Sequence, residues 1–254
     1  MSGRENDTTA AGTGAVPDAG PRAKRGAAPA RAARIEVAVD SVEDALAAFD
    51  AGADRVELCA RLETNGVTPD LADVRRVVAA GRGPLAVMLR ERADSYRASA
   101  REVDAMAASA RAFSAAGAAR LVFGVVADSG EIDPRACGAI VAACGGATPV
   151  FHRVFDALAD WRGAIETLVS LGFGGLLASG GQSVRAPGAT DRLRAVRGAI
   201  GGRLDLLPGG GVRADNARAV REASGSDWLH TSARDAHGRF SPGVLRALRE
   251  AVAE

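Results

Sequence analysis

A chain of 254 residues, 47% of them apolar and with a net charge of +1, is the size of one large soluble domain. Its near-neutral charge gives no electrostatic reason to expect a nucleic-acid or membrane partner. The cysteines Cys59, Cys137 and Cys144 are odd in number and scattered, which predicts no disulfide framework and fits a reducing, cytoplasmic setting. No apolar run is long enough to span a bilayer.

Residues 1–33 are rich in Ala, Gly, Pro, Arg and Thr without hydrophobic periodicity. They are expected to form a disordered N-terminal extension, and they lack the apolar core of a secretory signal. Lys24, the sole lysine, lies in this tail, so the folded part over 34–254 has no amine for Schiff-base chemistry.

From Arg34 a strand-then-helix unit recurs. Ile35–Val39 reads as the first strand, and Ser41 with Asp44 as a helix start. Arg55–Cys59 is the second strand, followed by a polar loop from Arg61 to Thr68. Thr68-Pro69-Asp70 predicts a helix with the proline at its first position. Leu85–Arg90 is the third strand, and a long alanine-rich helix runs from Ser99 to Gly117. Leu121–Val126 is the fourth strand, with Asp133-Pro134 opening the helix behind it. Val150–Val154 is the fifth and Gly175–Ser179 the sixth, backed by helices over 160–171 and 191–200. Leu204–Pro208 is the seventh strand and Asp227–Thr231 the eighth, with a helix over 215–223 between them and Ser241-Pro242 starting the last.

Eight strands alternating with helices argue for parallel βαβ units closing into a TIM (β/α)8 barrel. An open doubly wound sheet is the alternative, but no Gly-x-Gly-x-x-Gly follows the first strand. In a barrel, function sits at the carboxyl ends of the strands and on the loops after them. The polar residues expected there are Glu36, Glu57, Cys59, Arg90, Arg92, His152, Arg153, Asp156, Ser179 and His230. Alternation puts Glu57 and Cys59 on one face and His152 and Arg153 on opposite faces. The charged residues could equally be ion pairs bracing the barrel. Cys59 could be a small buried hydrophobe, and each histidine a satisfied core residue. Cys137 and Cys144 read as packing residues on a helix behind the barrel.

Gly209, Gly210 and Gly211 follow the seventh strand, Ser232 the eighth, and Ser179-Gly180-Gly181-Gln182 the sixth. Such loops commonly bind phosphate or another anion through backbone N–H groups. Three glycines in a row could also simply turn a corner.

Five segments carry a resemblance: Phe151-His-Arg-Val-Phe-Asp156, Ala53-Asp-Arg-Val-Glu-Leu-Cys59, Gly66-Val-Thr-Pro69, Leu207-Pro-Gly-Gly-Gly211 and His230-Thr-Ser-Ala233. As an ordered set over 34–254 they resemble the CutC family of copper homeostasis proteins. The resemblance implies a TIM-type barrel, a cytoplasmic location, a homodimer and a role in copper handling, with copper binding proposed for some members. It implies no organic cofactor and no accepted reaction.

Two departures bear on copper. Family members often carry Glu-x-Cys in the first strand, where this chain has Glu36-Val37-Ala38. The loop after the third strand, usually Arg-Pro-Arg-Gly-Gly-Asp-Phe, is Arg90-Glu-Arg-Ala-Asp-Ser-Tyr96. Cu(I) favours thiolate, thioether and imidazole ligands. That leaves Cys59, with His152, His230 or Met88 as companions, and predicts weak or intersubunit copper binding. The alternative function is an enzyme or binding protein for a small anionic metabolite. Arg90, Arg153 and the glycine loop would hold the anion, Glu57 or Glu36 would act as base, and His152 or His230 would donate a proton, with Asp156 beside them.

Overall fold

All eight apolar segments form strands: β1 (Arg34–Val39), β2 (Arg55–Leu58), β3 (Leu85–Met88), β4 (Arg120–Phe123), β5 (Thr148–Phe151), β6 (Gly175–Ala178), β7 (Asp205–Pro208) and β8 (Trp228–Thr231). Neighbouring strands from β1 to β7 pair in parallel, and β1 also pairs with β8. The sheet curls into a nearly closed TIM-type barrel in the order β7-β6-β5-β4-β3-β2-β1-β8. The remaining seam lacks a strand ladder and is bridged by hydroxyls. Ser226 donates to the Leu206 carbonyl, and Thr231 donates to the Val212 carbonyl at 3.0 Å. This computed structural model describes residues 33–181 and 185–253. The expected extension, except for its last residue, lies outside the described residues, as does Gln182.

A helix follows each strand: α1 (Val42–Asp50), α2 (Leu71–Ala79), α3 (Ala100–Ala115), α4 (Pro134–Ala143), α5 (Trp161–Ser170), α6 (Thr190–Ile200), α7 (Ala217–Ser224) and α8 (Pro242–Val252). Their starts follow from local chemistry. Ser41, Asp133, Asp160 and Ser241 each accept a first-turn N–H, and Ser99 with Glu102 forms a full capping box. One start differs from expectation. Asp70 is the N-cap of α2, so Pro69 precedes the cap instead of occupying the first turn. Thr68 is unavailable as a cap because its backbone and hydroxyl both bond to Arg90 at the end of β3.

Strand alternation separates two apolar regions. Ile35, Val37, Val56, Leu85, Val87, Leu121 and Phe151 face the helices. Cys59, Ala86, Met88, Val122, Val150, Leu177, Leu207 and Trp228 form a separate cluster inside the barrel. The same alternation sends Glu36, Arg55, Glu57 and His230 inward among them, and all four are buried.

The fifth strand is shorter than predicted. It ends at Phe151, and residues Arg153–Ala157 form a 3-10 turn capped by His152, whose Nδ1 accepts the Val154 N–H at 3.4 Å. Strict alternation therefore stops at His152, and His152 and Arg153 face the same space.

Candidate ligand site at the barrel mouth

The inner floor is a charged assembly. Arg55 donates to Glu36 Oε2 in a short contact, and Glu36 Oε1 meets His230 Nδ1 at 2.8 Å. The Arg55 guanidinium lies 3.7 Å over the Trp228 ring, with that of Arg34 at 4.3 Å. Lower in the bore, Arg120 reaches Asp205 at 2.5 Å. On the mouth side, His230 Nε2 lies 3.6 Å from Glu57 Oε2, while the buried Glu57 Oε1 has no hydrogen-bond partner among the described residues.

These positions pull the two carboxyls apart. Burial would raise Glu36, but Arg55 and His230 outweigh it and hold it at about 2. Burial, reinforced by the Glu36 charge, pushes Glu57 to about 7. Burial would lower His230, but Glu36 and Glu57 prevail and raise it. Its Nδ1 therefore donates to an ionised Glu36.

Above this floor opens a cavity of about 540 Å³. Of the residues expected at the site, Glu57, Cys59, His152, Arg153, Asp156, Gly210, Gly211, His230 and Ser232 line it. Glu36 lies beneath it. Ser179, Gly180 and Gly209 stand behind the wall as supports. The Asp156 carboxylate accepts from the N–H groups of Ser179 and Gly180 and from the Ser179 hydroxyl. The Ser179 hydroxyl also accepts from Arg153 at 3.2 Å.

Arg90 points away from the cavity. Its guanidinium donates to the carbonyls of Thr64, Gly66, Ala93 and Ser95 and stacks 4.4 Å over Tyr96. Tyr96 in turn meets the His152 ring edge-on at 5.0 Å. Arg90 thus ties the loops after β2 and β3 to the histidine, while Arg92 is half-exposed and pairs with Glu102.

Burial, with Arg90 nearby, lowers His152 to about 3, so it is neutral. Its Nδ1 accepts from Val154, which leaves the proton on Nε2. That nitrogen is buried without a partner among the described residues. Gly124 makes room for the ring, since a Cβ there would stand 2.8 Å from it.

Among the residues not singled out from the sequence are Arg55, Tyr96, Arg185 and Arg213. Arg55 precedes Glu57 by two positions, so the alternation that aligned Glu57 with Cys59 also aligns Arg55 with them. Tyr96 follows the third strand, and Arg185 and Arg213 lie on the loops after β6 and β7. All three line the cavity, and their position on carboxyl-end loops was the available signal.

Ligand atoms of Glu36, Glu57 and His230 lie within 4.8 Å of one another, but they suit copper poorly. Both Glu36 oxygens are engaged, and carboxylates favour harder ions than Cu(I). Softer donors lie on another wall. A Cβ on Gly66 would stand 3.2 Å from Cys59 Sγ and 3.6 Å from Met88 Cε. The Cys59 thiol and the methyl end of Met88 therefore approach one spot beside Gly66, and both residues line the cavity. Burial, then the Glu57 charge, pushes the Cys59 thiol well above its usual range, and it donates to the Val39 carbonyl. Cys137 and Cys144 are buried behind the barrel, and burial raises them to about 12 and 11.

The CutC family model matches residues 33–235. The human copper homeostasis protein cutC homolog is 39% identical over 200 residues, covering 79% of this chain and 73% of the relative. A CutC family protein from Treponema denticola is 36% identical, covering 79% of this chain and 81% of its own. The solved structure of CutC from Streptococcus agalactiae superposes with a TM-score of 0.73 at 24% identity, over 79% of this chain and 98% of that one. The barrel, the ordered motifs and these matches agree, and the chain belongs to the CutC family.

Proposed function

We propose that this chain serves copper homeostasis in the cytoplasm by taking Cu(I) on the β2–β3–β5 side of the mouth, as a cargo ion. Cys59 supplies a thiolate, Met88 a thioether and His152 its Nε2, whose proton must first move to Nδ1 at the expense of the Val154 contact. The observation that carries this reading is the convergence of the Cys59 and Met88 ends beside Gly66, in the cavity where His152 Nε2 has no partner. The set is soft, as Cu(I) prefers, and a bound ion would displace the thiol proton. His230 is reserved for Glu36 and Glu57, which leaves His152 as the open imidazole. Among the described residues no helix is long and apolar enough to cross a membrane, and three free thiols fit a reducing compartment.

The test is a Cu(I) titration against a competing chelator. Cys59→Ser should weaken binding by about tenfold or more, since even outer-shell changes commonly cost about that much. Met88→Leu and His152→Gln should give smaller losses. Unchanged affinity in Cys59→Ser would remove the proposed site.

A further inference from the structure

The opposite wall of the cavity, built by the loops after β5 to β8, has a different chemistry. Arg153, Arg185, Arg213 and Arg234 line the cavity, against the carboxylates of Glu57 and Asp156. Arg234 is paired with Asp40, and Asp156 is engaged by Ser179, Gly180 and Arg153. Among the described residues no carboxylate pairs with Arg185 or Arg213, and Arg213 Nη1 is buried without a partner. Two cationic charges are therefore left unmatched.

The glycine loop explains how they converge. Gly210 and Gly211 have φ of +81° and +93°, a region that glycine enters without steric cost. A Cβ on Gly210 would lie 3.3 Å from the Arg153 guanidinium carbon, and one on Gly211 would lie 3.0 Å from Arg185 Cδ. The absent side chains let both arginines lie over the loop. Among the described residues no acceptor takes the N–H of Gly210, Gly211 or Ser232. Peptide N–H groups and guanidinium groups facing one space favour a tetrahedral dianion.

The inner end of the cavity offers a second set of contacts. His152 Nε2–H is a neutral donor without a partner, and Glu57 Oε1 is a polar atom without one. Both belong to residues more than nine-tenths buried. Buried polar atoms left unpaired are costly, and a hydroxyl reaching both would accept from His152 Nε2–H and donate to Glu57 Oε1.

We propose that the mouth binds a small phosphomonoester, with its phosphate on the Gly210–Gly211 loop beneath Arg153, Arg185 and Arg213, and an oxygen at its other end on His152 and Glu57. A volume of about 540 Å³ accommodates a small metabolite. The phosphate end lies on the loops after β5, β6 and β7, apart from Cys59 and Met88, whereas His152 is shared with the copper reading.

The probes are inorganic phosphate and glycerol 3-phosphate, measured by calorimetry and thermal shift on the full chain, with sodium chloride matched for ionic strength. Both should raise Tm by mass action, and glycerol 3-phosphate should bind about tenfold tighter, a difference of about 1.4 kcal/mol. Arg213→Gln and Arg185→Gln should each weaken both probes. Arg185 is exposed and Arg213 partly so, and unchanged melting without phosphate would show that both variants fold. Arg101→Gln, exposed on α3, should leave binding intact. His152→Gln should abolish the preference for glycerol 3-phosphate while retaining phosphate. The proposal is overturned if neither probe binds at millimolar concentration, if both arginine variants bind like wild type, or if the preference survives in His152→Gln. Copper titration of Arg213→Gln reads the other wall separately, so failure at one site is distinguishable from failure at the other.

Discussion

Glu36 and Glu57 occupy adjacent strands, are both buried, and are shifted in opposite directions, Glu57 upward by burial and Glu36 downward by Arg55 and His230 in spite of burial. Glu36 has Arg55 and His230, whereas Glu57 has the Nε2 face of His230 and an open oxygen. Removing one member of a buried pair leaves the other uncompensated, so Glu36→Gln should cost about 3–5 kcal/mol in urea unfolding. Because the folded carboxyl sits near 2 and the ordinary value is 4.5, its stabilisation is complete above pH 4.5. That stabilisation is lost as pH falls toward 2. The variant should lack this contribution to the acid limb, and a limb parallel to that of wild type would refute the assignment. Glu36, Glu57 and His230 were legible as polar residues on barrel strands, whereas Arg55 was passed over. Their pairing was not legible, because Glu36 and His230 are 194 positions apart and meet only through the β1–β8 register.

At the scale of elements, strands and caps could be read from apolar runs and Ser, Asp or Pro starts, while their ends depended on contacts that sequence does not display. Pro69 lost its helical position because Thr68 is bound to β3. The fifth strand stopped early because the His152 ring caps the turn that follows it. Arg90 looked like a substrate-binding guanidinium and instead joins two loops through backbone carbonyls. Arg90→Ala should therefore accelerate amide exchange and proteolysis in loops 61–68 and 91–98, with the strands protected as before. Arg92→Ala, which alters a half-exposed pair, should do much less. Gly124→Ala should push the His152 ring from its place, since the added methyl would stand 2.8 Å from it. Imidazole nitrogen NMR should then show loss of the fixed Nε2–H tautomer, and an unchanged spectrum would mean that the ring is not held by this packing.

At the scale of the barrel, the count and order of units were recoverable from the recurring strand-helix pattern, whereas the unevenness of closure was not. The β7–β8 seam relies on the hydroxyls of Ser226 and Thr231 where the other neighbours share ladders. Backbone hydrogen bonds in such a place open more readily. Amides of 206–207 and 228–231 should exchange before those of β2 and β3, and Ser226→Ala should widen the gap. Uniform exchange around the ring would contradict this.

The stacked Arg34, Trp228 and Arg55, with Glu36 above and the Arg120–Asp205 pair crossing the bore, also decide traffic. The barrel is a cul-de-sac. Whatever enters must back out through the same doorway, so the proposed ion and the proposed phosphomonoester would share one entrance and one exit.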